Sequence, residues 1–471
     1  MKRTLINAAS VFSGEFFVRL VNFLIPIFIA RVYDSSALGK YSFGLACAAL
    51  AALLPDPGLH LLTTREVASL PERLKDYFWS VQSLKCLLAA AAMGSVLLLT
   101  YVFLADSETR WIVLVLTGRL LLQSFSYFFM AIIKAFERMH YLVWLQVTNC
   151  LIVLLGFGLG IFYRLPLPLV LCAFLPGVFC EAALGGILVL RKFGPMGPIW
   201  TGWQQMRSIA TLAFPIGLTT LLITLNLRLD VIVLSWFRTS SEVGLFSAAN
   251  LLSTGVFLLA SLTMSVVFPK LSRLAQQSKN EFQHYVETFL KFSLFFLVPA
   301  STIVFFGASL IVSLLYGARY GGAIPVLKIL AFSLPVIFLN AIFFYALVAR
   351  GKRSSYVWVI ACGVAINLLV NPLLTWRLGS EGTALSNLFR ETCLFVLFVL
   401  VSLRQGNLLH STRIFAHSAL SLAIHILLGL GLLHVGLNSA QTLLVVLAVY
   451  FCLMLASNSF PKKRELLLLA R

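Results

Sequence analysis

Residues 35–44 read SSALGKYSFG, and residues 240–249 read SSEVGLFSAA. The two stretches are separated by 240 − 35 = 205 positions, and Tyr41 of the first aligns with Phe246 of the second. Identical residues stand opposite Ser35, Ser36, Gly39 and Ser42. Similarity at a long, fixed offset indicates that the chain consists of two related halves.

The composition places both halves in a membrane. The chain has 471 residues, of which 60% are hydrophobic and 11% charged, and its mean hydropathy is +0.95. A helix needs roughly 20 mostly apolar residues to cross a bilayer. We count about fourteen such runs, near 8–30, 37–61, 79–104, 111–133, 142–162, 166–190, 209–236, 242–268, 289–315, 324–349, 356–376, 382–403, 414–435 and 440–460. The loops between them are short, so we expect no soluble catalytic domain and no enzyme.

The repeat and the spans together predict an all-α polytopic membrane protein. The offset contains an even number of spans, so both copies have the same orientation in the bilayer. We therefore expect two parallel six-helix lobes, followed by two additional helices. The predicted limits are 1–195 for the N-terminal lobe, 196–208 for a cytoplasmic linker, 209–405 for the second lobe, and 406–471 for the last helices and a basic tail.

The distribution of Lys and Arg predicts the orientation. If the N-terminus is cytoplasmic, most loop Lys and Arg residues lie on the cytoplasmic side, which is the usual asymmetry of inner-membrane proteins. Both termini are then cytoplasmic. Basic loops beside an anionic leaflet also account for the net charge of +19, so membrane lipids are expected partners and nucleic acid is not.

Charged residues inside the spans are the candidate functional residues. An intramembrane charge costs roughly 2.5–3.5 kcal/mol on insertion scales, so such side chains usually face a partner or a wet cavity. The basic candidates for a substrate cavity are Arg19, Lys85, Arg119, Arg228 and Arg390. For Lys85 the alternative is snorkelling to the interface, and for the four arginines it is a structural ion pair.

The intramembrane carboxylates are candidates for ion coupling. They are Glu15, Glu181, Asp230 and Glu391. A buried carboxylate can exchange a proton or bind Na⁺ during a transport cycle, and the sequence does not choose between these two ions. Otherwise we expect no cofactor, and the cysteines and histidines show no spacing typical of a metal site.

Two spacing arguments concern pairing between these charges. Glu15, Arg19, Asn22 and Pro26 recur at helical spacing and are expected on one polar stripe, in which Glu15 and Arg19 can form a salt bridge. By contrast, the neighbours Arg390 and Glu391 are expected to point in different directions.

Several stretches resemble a known family. They are 30-ARVYDSSALGKYSFG-44, 56-DPGLHLLTTREVA-68, 230-DVIVLSWFRTSSEVGLFSAAN-250, 315-LYGARYGGAIPVLKILAF-332 and 366-INLLVNPLLTWRLGSEGTALSNLFRE-391. In this order and spacing the chain resembles the Wzx-type lipid-linked oligosaccharide flippases of polysaccharide biosynthesis, whose superfamily shares the MATE fold.

The resemblance implies two lobes around a central cavity with alternating access. It also implies a substrate, an undecaprenyl-diphosphate-linked repeat unit moved to the outer leaflet for O-antigen, capsule or exopolysaccharide assembly, and partners among polymerase and chain-length proteins. A cationic cavity suits a diphosphate. The alternatives are a peptidoglycan-precursor flippase, a MATE-type exporter of cationic drugs, and an integral-membrane glycosyltransferase or polymerase, for which neither a DxD motif nor a large outer loop is found.

Overall fold

The fold is all-helical throughout the part of the chain that the structure, a computed structural model, describes. This part comprises the backbone of residues 2–193, 202–404 and 441, and their side chains except those of 2–16, 73 and 76. Within it, nine helices are long and apolar enough to cross a membrane. The predicted C-terminal spans, 414–435 and 440–460, lie outside the described residues apart from residue 441.

The chain divides into two compact units, Met1–Ser235 and Trp236–Arg471. The first contains α1 Lys2–Val32, α2 Ser35–Ala51, α3 Leu59–Ser69, α4 Leu74–Phe103, α5 Ser107–Ala135, α6 Met139–Phe162, α7 Leu167–Leu171, α8 Phe174–Lys192 and nearly all of α9 Trp203–Phe237. The second contains α10 Ser240–Gln277, α11 Lys279–Phe306, α12 Ala308–Tyr316, α13 Ala323–Ala349 and α14 Arg353–Arg404. The lobe limits proposed from the sequence remain a prediction, since part of the linker lies outside the described residues.

The repeat is confirmed in the helix boundaries. Helices α1 and α9 end 237 − 32 = 205 residues apart, α2 and α10 begin 240 − 35 = 205 apart, and α4 and α11 begin 279 − 74 = 205 apart. The starts of α2 and α10 also share a mechanism. The Asp34 carboxylate accepts a hydrogen bond from the Ala37 N–H at 2.7 Å, and the Thr239 hydroxyl accepts one from the Glu242 N–H at 3.5 Å. Both halves therefore begin their second long helix with a side-chain N-cap.

The predicted span 37–61 is wrong as a single helix. Helix α2 ends at Ala51, and the chain turns before α3 begins at Leu59. Pro55 and Pro57 flank Asp56 in this turn, and Gly58 has the left-handed φ of +82°. A proline disfavours helical backbone at the residue before it, and glycine tolerates a positive φ, so local backbone chemistry breaks the helix despite its apolar composition.

The core of the first unit holds α5 in place. Phe78 of α4 packs against Phe128 and Phe129 of α5, with ring centroids 5.7 and 6.3 Å apart. On another face, Gly44 of α2 lies so close to α5 that a Cβ there would be 2.9 Å from the Ile112 side chain. Helix α5 is thus fixed on several sides, which sets the position of the polar residues along it.

In the second unit, α14 is broken at Gly379, whose φ is +60° and ψ −134°. A chain of buried side-chain hydrogen bonds accompanies this break. Asn371 donates to Asn367 Oδ1 at 2.9 Å, Thr375 donates to Asn371 Oδ1 at 2.6 Å, and the Thr375 and Thr383 hydroxyls lie 2.8 Å apart. Since each group finds a partner inside the protein, the break is stable within an apolar environment.

Candidate functional site

A polar pocket lies within the first unit, between α1, α5, α6 and α8. Its volume is about 90 Å³, which is enough for a few water molecules. Its polar lining consists of Asn22, Arg119, Gln123, Tyr127, Gln146, Asn149 and Glu181. Arg119, Asn149 and Glu181 are each more than two turns from the ends of their spans, so the pocket lies deep within the membrane-spanning region.

Arg119 is the cationic group of this pocket. Its side chain is only 9% exposed, and its guanidinium carbon lies 3.8 Å from the centroid of the Phe174 ring, a cation–π contact. One Nη donates a hydrogen bond to Asn22 Oδ1 at 3.3 Å. The Nε–H has no hydrogen-bond partner in the described part of the chain. Arg119 is therefore held in place while it retains a donor for a ligand.

Glu181 is the carboxyl group of the pocket. It is 2% exposed, and its Oε2 accepts a hydrogen bond from Asn149 Nδ2 at 2.8 Å. Because a carboxylate oxygen accepts here, the amide orientation of Asn149 is defined, and its Oδ1 points elsewhere. That oxygen is buried and has no partner among the described residues. The side chains that line the pocket therefore include one with an unmet donor and one with an unmet acceptor.

Helix α1 contributes a different face from the predicted polar stripe. Val18, Val21, Asn22 and Ile25 line the pocket, whereas Arg19 and Pro26 do not. Asn22 is the member of the stripe that reaches it. The side chain of Glu15 lies outside the described residues, so the proposed Glu15–Arg19 salt bridge remains a prediction.

Arg228 and Asp230 lie on α9 and have different surroundings. Asp230 is buried, and Arg228 is half-buried. Tyr41 of α2 is buried and lies near both Arg119 and Arg228, so this second candidate arginine is in the neighbourhood of the pocket.

Lys85 does not line this pocket, and its side chain is not exposed at the protein surface. It is fully buried, and its ammonium group donates to Asp56 Oδ2 at 3.0 Å and to the Ser124 carbonyl at 2.6 Å. His60 Nδ1 lies 3.0 Å from the same Asp56 oxygen. Snorkelling is therefore wrong for Lys85, because the turn after α2 places a carboxylate within its reach.

Arg390 and Glu391 lie in the second unit, and the expectation that they point apart is wrong. Arg390 donates to Glu391 Oε1 at 3.1 Å, and Asn340 donates to Glu391 Oε2 at 2.9 Å. A guanidinium group on a long, flexible stem can fold back to a neighbouring carboxylate although the two Cβ atoms diverge. The Asn340 bond joins α13 to α14 at this pair.

Of the predicted site residues, Arg119 and Glu181 are brought together in the pocket. Sequence reasoning missed Gln123, Tyr127, Gln146 and Asn149. A detectable signal was present: Arg119, Gln123 and Tyr127 recur every four residues on α5, and Gln146 and Asn149 are three residues apart on α6. Polar residues at these spacings share a helix face. No cluster of possible metal ligands occurs among the residues that the structure describes.

The fold and the buried charges define a multi-pass helical membrane protein with a polar pocket inside its spans. A family model described as "Polysaccharide biosynthesis protein" matches residues 4–275, more than half of the chain. The chain belongs to this family of polysaccharide biosynthesis proteins.

Solved structures show the same fold. A lipid II flippase MurJ in an inward closed conformation is similar with a TM-score of 0.76 and 14% identity, over 94% of this chain and 97% of that one. An inward-facing multidrug resistance MATE family transporter of the MOP superfamily has a TM-score of 0.61 and 13% identity, over 82% and 94% of the two chains. The chain therefore has the fold that MurJ and MATE transporters share.

A curated relative is an uncharacterized membrane protein of Methanocaldococcus jannaschii. It is 26% identical over 167 residues, which is 34% of this chain. The match spans about a third, 32%, of the length of that relative.

Proposed function

We propose that this protein is a flippase that moves lipid-linked oligosaccharide from the cytoplasmic to the outer leaflet of the inner membrane. The single observation that carries the proposal is Arg119, a buried cation with an unmet donor in a pocket deep within the spans. A buried charge beside a water-accessible cavity in a spanning segment is typical of a substrate or ion pathway. Membership of a family of polysaccharide biosynthesis proteins supports a carbohydrate-bearing substrate for that pathway.

The proposed substrate is an undecaprenyl-diphosphate-linked repeat unit for O-antigen, capsule or exopolysaccharide. Its diphosphate is an anion, and arginine binds phosphate oxygens through paired hydrogen bonds. Arg228 and Arg19 of the first unit and Arg390 of the second are the proposed contacts for the diphosphate, and Arg119 is proposed to contact another part of the substrate. A transporter of cationic drugs would gain nothing from these arginines, because like charges repel.

The transport cycle is proposed to proceed by alternating access. Both chain termini are proposed to be cytoplasmic. Coupling to H⁺ or Na⁺ is a separate proposal and rests on the buried carboxylates of Glu181 and Asp230. Proteins that polymerise the repeat unit or set its chain length are proposed partners.

Deletion of the gene in its host tests the proposed function. We expect the completed lipid-linked repeat unit to accumulate at the cytoplasmic leaflet while surface polysaccharide disappears. Complementation with the wild-type gene should restore the surface glycan. An unchanged glycan profile together with altered drug sensitivity would rule out the flippase and favour a drug exporter. Accumulation of a peptidoglycan precursor instead would identify that precursor as the substrate.

A further inference from the structure

The pocket of the first unit carries no net formal charge. Arg119 and Glu181 are its charged residues, and its remaining hydrogen-bonding groups include four amides, Asn22, Gln123, Gln146 and Asn149. We propose that this pocket binds a neutral, hydroxyl-rich group, one sugar ring of the lipid-linked substrate, and that it does not bind the diphosphate. This inference rests on the proposed function and adds to it a subsite for the carbohydrate.

The unmet hydrogen-bonding groups point to a hydroxyl ligand. Arg119 Nε–H is a donor without a partner, and Asn149 Oδ1 is an acceptor without a partner, in the described part of the chain. A hydroxyl group accepts and donates at once, so neighbouring hydroxyls of one sugar can satisfy both atoms. The oxygens of an ionised diphosphate only accept. They would leave Asn149 Oδ1 buried and unpaired, which is costly.

The charges of the pocket favour the same ligand. Glu181 is 2% exposed and lines the same pocket as Arg119. Where the Glu181 carboxyl group is ionised, a diphosphate bound there would place its negative charges beside it in a region of low dielectric constant, where like charges repel strongly. A neutral sugar avoids this repulsion. Amide side chains suit it further, since each offers a donor and an acceptor to a hydroxyl group.

The size of the pocket suits part of one sugar ring. Its volume is about 90 Å³, which is smaller than the ~150 Å³ cavity that holds a benzene ring. One edge of a pyranose ring with its hydroxyl groups enters such a space, and the rest of the oligosaccharide lies outside it. The pocket therefore contacts one sugar of the repeat unit.

Full-length protein reconstituted in liposomes tests this subsite with two probes. One is polyprenyl diphosphate bearing a single neutral N-acetylhexosamine, and the other is bare polyprenyl diphosphate. The measured quantity is the ratio of their initial translocation rates. Wild-type protein should prefer the sugar-bearing lipid. Asn149→Leu should lower that preference about three- to tenfold, the effect of losing one hydrogen bond.

Gln146→Leu is a second variant in case Asn149→Leu fails to fold, because Asn149 also bonds Glu181. We expect the same direction of change. Thr148→Val is the matched control on α6: its hydroxyl donates to the Trp144 carbonyl within the helix at 2.8 Å, and Thr148 does not line the pocket. This control should keep the wild-type ratio.

Failure of the inference is distinguishable from failure of the proposed function. If wild-type protein moves both lipids equally well, or if the variants slow both lipids equally, the pocket does not bind the sugar. The proposed flippase function is not contradicted by either result. The same holds if the variants change only the dependence of the rate on pH or Na⁺, which would make the pocket an ion site. If wild-type protein moves neither lipid, both the proposed function and the subsite are wrong.

Discussion

The Lys85 ammonium group lies 3.0 Å from the Asp56 carboxylate, with the two side chains 0% and 8% exposed. Asp56 belongs to the turn between α2 and α3, and Lys85 belongs to α4. Lys85 also donates to the Ser124 carbonyl of α5 at 2.6 Å. One buried ion pair therefore joins three separate parts of the first unit, although the residues are 29 and 39 positions apart in the chain.

Breaking this pair from one side should destabilise the protein. Lys85→Met leaves the Asp56 carboxylate buried beside His60 without its ammonium partner, and we expect a loss of about 3–5 kcal/mol in the free energy of unfolding. Adding Asp56→Asn should recover much of that loss, because the neutral amide keeps an oxygen for the His60 backbone N–H. Unfolding of the purified single and double variants in detergent measures both changes in stability. Lys85→Met protein as stable as the wild type would contradict the prediction.

The cationic contacts are tested by replacing arginines of the first unit. Arg119→Ala and Arg228→Ala should reduce glycan export about ten- to a hundredfold, the effect of losing a charge-assisted hydrogen bond, with normal amounts of protein in the membrane. Arg119→Lys should retain part of the activity. Lysine keeps the positive charge but cannot form the paired hydrogen bonds of the planar guanidinium group. Surface glycan and membrane abundance are measured together.

A matched control for this series is Arg65→Ala, which removes an exposed arginine from α3 of the same unit. It should export glycan at the wild-type rate. Normal export by both Arg119→Ala and Arg228→Ala would rule out a cationic role for these residues.

Gly379 should tolerate no side chain. Its φ is +60°, and an added Cβ would be 2.5 Å from Glu242 Oε2. We expect Gly379→Ala to cost about 1–3 kcal/mol of stability, since the backbone strain adds to the steric clash. Gly158→Ala is the control, because a Cβ there meets nothing within 4 Å. Thermal unfolding in detergent should separate the two variants, and equal melting temperatures would show that the break in α14 does not require glycine.

Asp106 should make stability depend on acid pH. It caps α5, and its carboxylate lies 2.7 Å from the Lys40 ammonium group. Hydrogen bonds from Lys40 and Thr109 lower its pKa to about 2. The pKa of Asp106 in the folded protein therefore lies below its unfolded value of about 3.9. Ionised Asp106 stabilises the folded protein fully at a pH above about 3.9, and this stabilisation is lost as the pH falls through about 2.

The Asp106 side chain is 46% exposed, so solvent screening keeps the effect below about 1 kcal/mol. Asp106→Asn keeps an oxygen for the cap and should unfold with a weaker dependence on pH between about 4 and 2 than the wild type. Unfolding midpoints measured across this range test the prediction. Identical pH profiles for the two proteins would show that the Lys40 and Thr109 contacts of Asp106 contribute no pH-dependent stability.

The sequence alone determined the class, the repeat and the apolar helices of the described part of the chain, apart from the break in the second span. Apolar runs long enough to cross a bilayer are a local property, and the aligned stretches at Ser35 and Ser240 begin helices at the same offset in the structure. Arg119 and Glu181 were also identifiable, because a charge in an apolar span stands out without knowledge of its neighbours.

Only the tertiary structure decided which polar groups meet. Asn149 reaches Glu181, and Lys85 reaches Asp56, across distances in the chain that no helical periodicity encodes. The interruption of the second span is a local effect that hydropathy does not register, because prolines and glycine act through the backbone. Whether a buried charge serves as a ligand contact or a structural partner depends on which side chains the packing of helices brings within about 3 Å of it.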